Sequence, residues 1–268
     1  MENGDTNGSP RSIEIGMEIL GSLAGATAGG LIGGPPGAVT GAILGPAITE
    51  GLKDVTHRVL SRREIDRVGN AFENAMLAVQ ELLSSGRELR NDGFFEPELG
   101  RRPKLEEVVE GALVAAQREH EELKVIHYGY LIANVAFDTG IDLHTANWAL
   151  RAAQDLTWTQ LVLLRIISDS TLVGTLDGEI GDKPSGWAQW TLHAQLADLG
   201  IANRALINGP TKHTSIASLP FPNNTLREQR LASGGVLLNG LMWLDRVPHS
   251  EVDAVMAGLR RDASIRSD

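Results

Sequence analysis

At 268 residues with a formal net charge of −10, the chain is too long for one small bundle and too acidic for a general nucleic-acid binder, whose phosphate contacts need a basic surface. Cysteine is absent, which excludes a disulfide framework and a thiolate metal site and fits a cytoplasmic chain. The charged fraction of 22% and apolar fraction of 42% match an ordinary globular protein.

Residues 1–11 are polar, lack any apolar period and are expected to form a disordered tail. Ser12 can cap a helix beginning at Ile13, with Glu14 placed against the helix dipole. From Ile19 to Thr49 no side chain is charged, and Gly21, Gly25, Gly29, Gly33, Gly37, Gly41 and Gly45 recur at every fourth residue. That period sets them along one slowly drifting stripe of a helix. Pro35-Pro36 interrupts the stripe, and a helix normally ends before such a pair. The prediction is a glycine-zipper segment over 12–50, with arms at about 13–34 and 37–50 that form a helical hairpin or a sharply kinked pair.

Glycine inside a helix costs about 0.8–1.0 kcal/mol relative to alanine, so the whole stripe costs on the order of 6–7 kcal/mol and needs a compensating contact. Close backbone approach between helices supplies one, and small-xxx-small spacing is the pattern that membrane helix pairs use. Permanent residence in a bilayer is less well supported. The uncharged part of the first arm spans roughly 24 Å against a hydrocarbon core of ~30 Å. The strongly apolar residues are few (Ile19, Leu20, Leu23, Leu31 and Ile32, then Val39, Ile43, Leu44 and Ile48), so each arm gains only ~1–3 kcal/mol on insertion. A conditional, oligomer-dependent hairpin fits these magnitudes; a soluble hairpin buried in a homo-oligomer is the alternative. No lysine follows the glycines as a phosphate-binding loop would require, and Glu14 and Glu18 stand where a secretory signal would be basic.

Lys53, Arg58, Arg62, Arg63 and Arg67 follow the hairpin and are candidates for a lipid-facing basic flank; the other reading is a solvated helix face shared with Glu64 and Asp66. Residues 51–168 read as a helical domain. Ile65, Val68, Phe72, Met76, Val79 and Leu83 at helical spacing predict a helix to about Ser84, and 91–103 reads as a loop. One long helix is expected from Leu105 to Phe137. Asp142 should cap the next, to about Ala153, and Asp155 a further one over Thr157–Ile167. His120 and His127 would share a face of the long helix beside Glu119, Glu121 and Glu122. Gln117 and Lys124 stand where a Glu-x-x-His metal pair would need acids, so a solvated charged face is expected rather than a metal site.

Residues 169–268 read as an α-rich module. Loop-like residues 171–186 precede helices at about 187–206, 225–245 and 249–260, with an extended segment at Thr214–Pro220, an order compatible with a winged-helix-like fold. Its recognition helix, Gln195–Ile207, offers Arg204 against Asp198, with Lys212 and His213 beyond, too little positive charge for DNA; a protein partner is expected there. His193 and His213 are expected to be surface or loop histidines. Trp148, Trp158, Trp187, Trp190 and Trp243 are expected to be core anchors.

Glu121-Glu122-Leu123, Leu131-Ile132-Ala133-Asn134, and Asp155-Leu156-Thr157 leading into Leu161–Leu164 resemble the helical region of the Abi-alpha group of bacterial abortive-infection proteins, over 118–167. That resemblance implies antiphage defence and carries over no catalytic residue. The expected whole is mainly α and non-enzymatic, without metal or cofactor: a cytoplasmic effector that associates conditionally with the cytoplasmic membrane.

Overall fold

The computed structural model of the chain describes residues 60–174, with 191, 194–196, 198–199, 206–208 and 229–259. These residues are mainly α-helical with one two-stranded sheet. The predicted tail, both hairpin arms, Lys53, Arg58 and the Thr214–Pro220 segment lie outside them. The chain divides into two units at Leu150/Arg151. Residues 158–168, on the N-terminal side of the boundary expected at 168/169, pack with the C-terminal elements.

In the first unit, α1 (Arg62–Ser84) starts in a capping box. The Ser61 hydroxyl accepts from the Glu64 N–H at 3.4 Å, and the Glu64 carboxylate accepts from the Ser61 N–H at 2.7 Å. Val68, Ala71, Phe72, Ala75, Ala78, Val79 and Leu82 form its buried stripe. The helix stops where Gly86 takes φ +83°, a left-handed geometry that L side chains disfavour.

Packed on α1 are α2 (Lys104–Arg118) and α3 (Glu122–Phe137). From Lys124 to Phe137, α3 is buried on nearly every side. It approaches α1 at Gly129, where a Cβ would run into the Ala71 carbonyl and come within 2.8 Å of the Ala75 amide. Three small residues thus bring two backbones together. The 85–103 loop is fastened to the end of α3 by Arg90. Its buried guanidinium donates to the carbonyls of Val135 at 3.0 Å and Ile141 at 2.8 Å, pairs with Asp92 and lies 3.8 Å over the Phe94 ring. Two carbonyls that lack helical donors are satisfied in this way.

The single helix expected over Leu105–Phe137 is broken. Arg118 ends α2, and residues 119–121 leave the helix, with Glu119 extended at ψ 134° and Glu121 at ψ 92°. No glycine or proline stands at the break, so periodicity alone did not show it. A side chain holds it, as described below. Asp142 does cap α4 (Leu143–Asp155), accepting from the Thr145 N–H at 2.7 Å.

In the second unit, α5 (Trp158–Ser168) is central and buried on most sides. Its cap is Thr157, in a capping box with Gln160, and not Asp155, which is the last residue of α4. The aligned Thr-x-x-Gln pair, which closes two N–H groups reciprocally, prevails over an isolated aspartate. Around α5 lie α6 (Ser170–Gly174), the antiparallel pair β1 (Ile207–Asn208) and β2 (Arg230–Leu231), α7 (Ser233–Leu241), a 3-10 turn (Leu244–Arg246) and α8 (His249–Leu259).

Two expectations need correction here. The helix predicted to run through Ile207 has given way by that residue, which pairs with Leu231 in the sheet. The helix expected over 225–245 is shortened at both ends. Before it, Ala232 donates to the Leu206 carbonyl at 2.9 Å and continues the strand pairing; after it, Trp243 turns left-handed at φ 46°. Gly235 lets α7 lie against β1, since a Cβ there would strike the Leu206 carbonyl.

Candidate functional site

Of the predicted basic flank, Arg62 and Arg63 are exposed in the first turn of α1. Arg67, one turn on, is bound to its own domain: its Nε donates to Glu122 at 2.8 Å and a terminal nitrogen lies 2.7 Å from the same oxygen. Two of the described arginines are therefore open to an anionic surface, and the third is engaged at the start of α3.

Beside that contact lies a buried polar cluster of the first unit. Glu119, at the break between α2 and α3, is 7% exposed, and Lys124, in the first turns of α3, 1%. One Glu119 oxygen accepts the backbone N–H groups of His120 at 3.0 Å and Glu121 at 3.1 Å. The other meets the Lys124 ammonium at 2.8 Å and accepts from the buried Tyr128 hydroxyl at 3.0 Å. A carboxylate has about four acceptor positions, and Glu119 fills them all. Burial pushes its carboxyl up, but the Lys124 ammonium, the Glu121 N–H and the Tyr128 hydroxyl outweigh this and hold it below the ordinary glutamate range.

The same break reaches back to the start of α1. Gln117 donates to the second oxygen of Glu64 at 3.1 Å, while its own carbonyl oxygen is buried without a hydrogen-bond partner. Ser61, Gln117 and Arg67 hold the Glu64 carboxyl below its usual range, the serine bonds contributing most. The entry into α1 and the α2–α3 break are thus one connected network.

This overturns the expectation of a solvated charged face. Glu119, Lys124 and His127 are buried, whereas His120, its side chain 87% exposed, is solvated. The two histidines share no face, because the break separates them. His127 packs edge-on to Tyr130 with ring centroids 5.4 Å apart. Glu119, His120 and Glu121 could bring ligand atoms within 4.8 Å of one another, but the Lys124 ammonium already stands on Glu119 and opposes a second cation. Sequence reasoning missed Glu119 and Lys124 as buried, because a spacing of five residues lies off the i, i+4 ladder and shows no pair.

A mixed-charge cleft of about 260 Å³ in the first unit is lined by Glu98, Arg101, Arg102, Lys104, Glu107 and Leu143. Two of its cations are paired locally, Lys104 with Glu98 at 2.5 Å and Arg102 with Glu110.

In the second unit, Gln160 reaches the Gln195 carbonyl at 3.3 Å and Asp198 at 2.8 Å. Asp198, expected on a recognition surface, thus serves an internal contact. Trp158 is a core anchor, its indole N–H donating to Glu251 at 2.9 Å. Trp148 is not, at 38% exposed. Trp243 carries the Arg246 guanidinium 3.8 Å over its ring. The zipper glycines, Arg204, His193, Lys212, His213, Trp187 and Trp190 lie outside the described residues.

Among the described residues, no helix is long and apolar enough to cross a membrane. Comparison with family models, curated proteins and solved structures finds no match.

Proposed function

We propose that this chain is a membrane-acting, non-enzymatic bacterial effector with a role in defence. Its glycine-zipper hairpin, residues 12–50, inserts or oligomerises at the cytoplasmic membrane under the control of the helical body. The observation that carries this reading is the unbroken four-residue spacing from Gly21 to Gly45 within a charge-free stretch. Such spacing is costly in a lone helix and favourable where helices meet closely. Two further features support it. The hairpin is too weakly apolar to stay inserted as a single copy, which favours assembly. Arg62 and Arg63 stand exposed beyond it, each worth about 1 kcal/mol near anionic lipid. The defence role rests on the resemblance of residues 118–167 alone. A protein partner at the C-terminal module, winged-helix-like or otherwise, belongs to the same proposal.

Dye release from liposomes containing anionic lipid tests it. The wild-type chain is expected to release dye, and the variant with Gly29, Gly33 and Gly37 changed to isoleucine to lose most of that release. Equal release by both, or none by either, rejects the membrane reading. A detergent-free oligomer in which residues 13–50 resist protease would then point to a soluble assembly.

A further inference from the structure

The break between α2 and α3 is unusual in what is missing from it. Arg118, Glu119, Glu121 and Glu122 all favour helix, and no glycine or proline interrupts them. Glu121, at the N-cap of α3, makes no side-chain capping bond. What holds the extended residues is the Glu119 carboxylate, which takes up the His120 and Glu121 N–H groups and is itself fixed by Lys124 and Tyr128. In an uninterrupted helix those two N–H groups would instead reach the carbonyls of Ala116 and Gln117.

We infer that Glu119 is the latch of a conformational hinge: engaged, it keeps α2 and α3 folded back as a hairpin; released, it lets residues 104–137 run as one helix. The two forms differ greatly in length. The Leu105 N–H donates to the Phe94 carbonyl and the Arg90 N–H to the Ala136 carbonyl. Residues 90 and 94 stand at most ~14 Å apart, and each hydrogen bond spans about 5–6 Å between Cα atoms, which keeps Leu105 and Ala136 within about 25 Å of each other. In one continuous helix they would be ~47 Å apart. Straightening would also uncover the buried stripe of α2 (Leu105, Val108, Val109, Ala112, Leu113 and Ala116), giving an apolar face that the hairpin form conceals. A buried ion pair at a hinge fits such a switching role, since it specifies one arrangement more than it stabilises it. This inference does not rest on the membrane reading, and the two can fail separately.

The full chain has no cysteine, so spin labels can be placed cleanly at Lys104→Cys and Thr139→Cys. The wild type should give only short distances, below ~30 Å with label linkers included. Glu119→Ala with Lys124→Met removes the latch without stranding a buried charge. It should add a population near ~50 Å while helical circular dichroism holds or rises. Adding Glu122→Pro should abolish that population. Proline suits the first position of α3, and Glu121 before it is already extended, but a continuous helix cannot accept it. The inference is overturned by short distances alone in the latch variant, by a broad distribution with loss of helical signal, or by a long population that survives Glu122→Pro.

Discussion

Taking a carboxylate and an ammonium out of water costs several kcal/mol each, and their attraction repays this only with good geometry. Glu119 and Lys124 achieve it because the carboxylate also collects two backbone donors and a phenol. Acid should therefore undo a defined part of the stability. Glu119 has a lowered folded-state pKa, so its contribution is fully present above the ordinary glutamate value of about 4.3 and is lost as pH falls through the lower folded value. Glu64, Asp92 and Asp169, also lowered, act with the same sign. His120 and Glu121 face the pair from the break, and Tyr128 from α3. Urea midpoints between pH 7 and pH 3 should fall less steeply for Glu119→Gln with Lys124→Met than for the wild type. Superimposable acid slopes would show that the buried pair is not a source of the acid sensitivity.

Glycines in helices divide into two kinds, and the distinction is structural. Gly129 sits at the α1–α3 contact, where the two nearest obstacles to a Cβ are backbone atoms that no rotamer change can move. Gly69, inside α1, has nothing within 4 Å of where a Cβ would stand. Gly129→Ala should therefore destabilise by on the order of 1–3 kcal/mol through overpacking. Gly69→Ala should stabilise by up to ~1 kcal/mol through helix propensity. Thermal unfolding measures both, and shifts of the same sign would contradict the close crossing. The apolar period that revealed α1 in the sequence (Val68, Phe72, Val79) says nothing of this difference, because a glycine fits a helical period whether or not a neighbouring backbone lies against it. Elements set by local chemistry were legible: the Asp142 cap and the end of α1 near Ser84 follow from neighbouring residues. The α2–α3 break was not, because a carboxylate fixed by tertiary partners decides it. Nor was the start of α7, which depends on Ala232 pairing with Leu206 across a gap of 26 residues. Glu119 and Lys124 read as surface charges for the same reason: their burial follows from a bend that periodicity does not encode.

At the scale of the molecule, each unit is organised around one helix that is apolar on nearly every side, α3 in the first and α5 in the second. A helix of that kind cannot stand in water alone, and its neighbours must close around it together. α3 is covered by α1 and α2, and α5 by α7, α8, β2 and the 3-10 turn. Cooperative opening should therefore follow the units rather than the order of the chain. Leu113 and Leu161 are each fully buried, so replacing either by alanine should cost ~2–5 kcal/mol. Hydrogen exchange by mass spectrometry should find Leu113→Ala accelerating amides of α1, α2 and α3 while those of α5, α7 and α8 keep their protection. Leu161→Ala should do the reverse. Equal acceleration throughout by either change would mean that both central helices belong to a single cooperative unit. The division at Leu150/Arg151 would then describe packing without describing stability. If the exchange does separate, a trigger acting on the α2–α3 break could open the first unit while α5 stays enclosed, as a body that controls an attached hairpin would require.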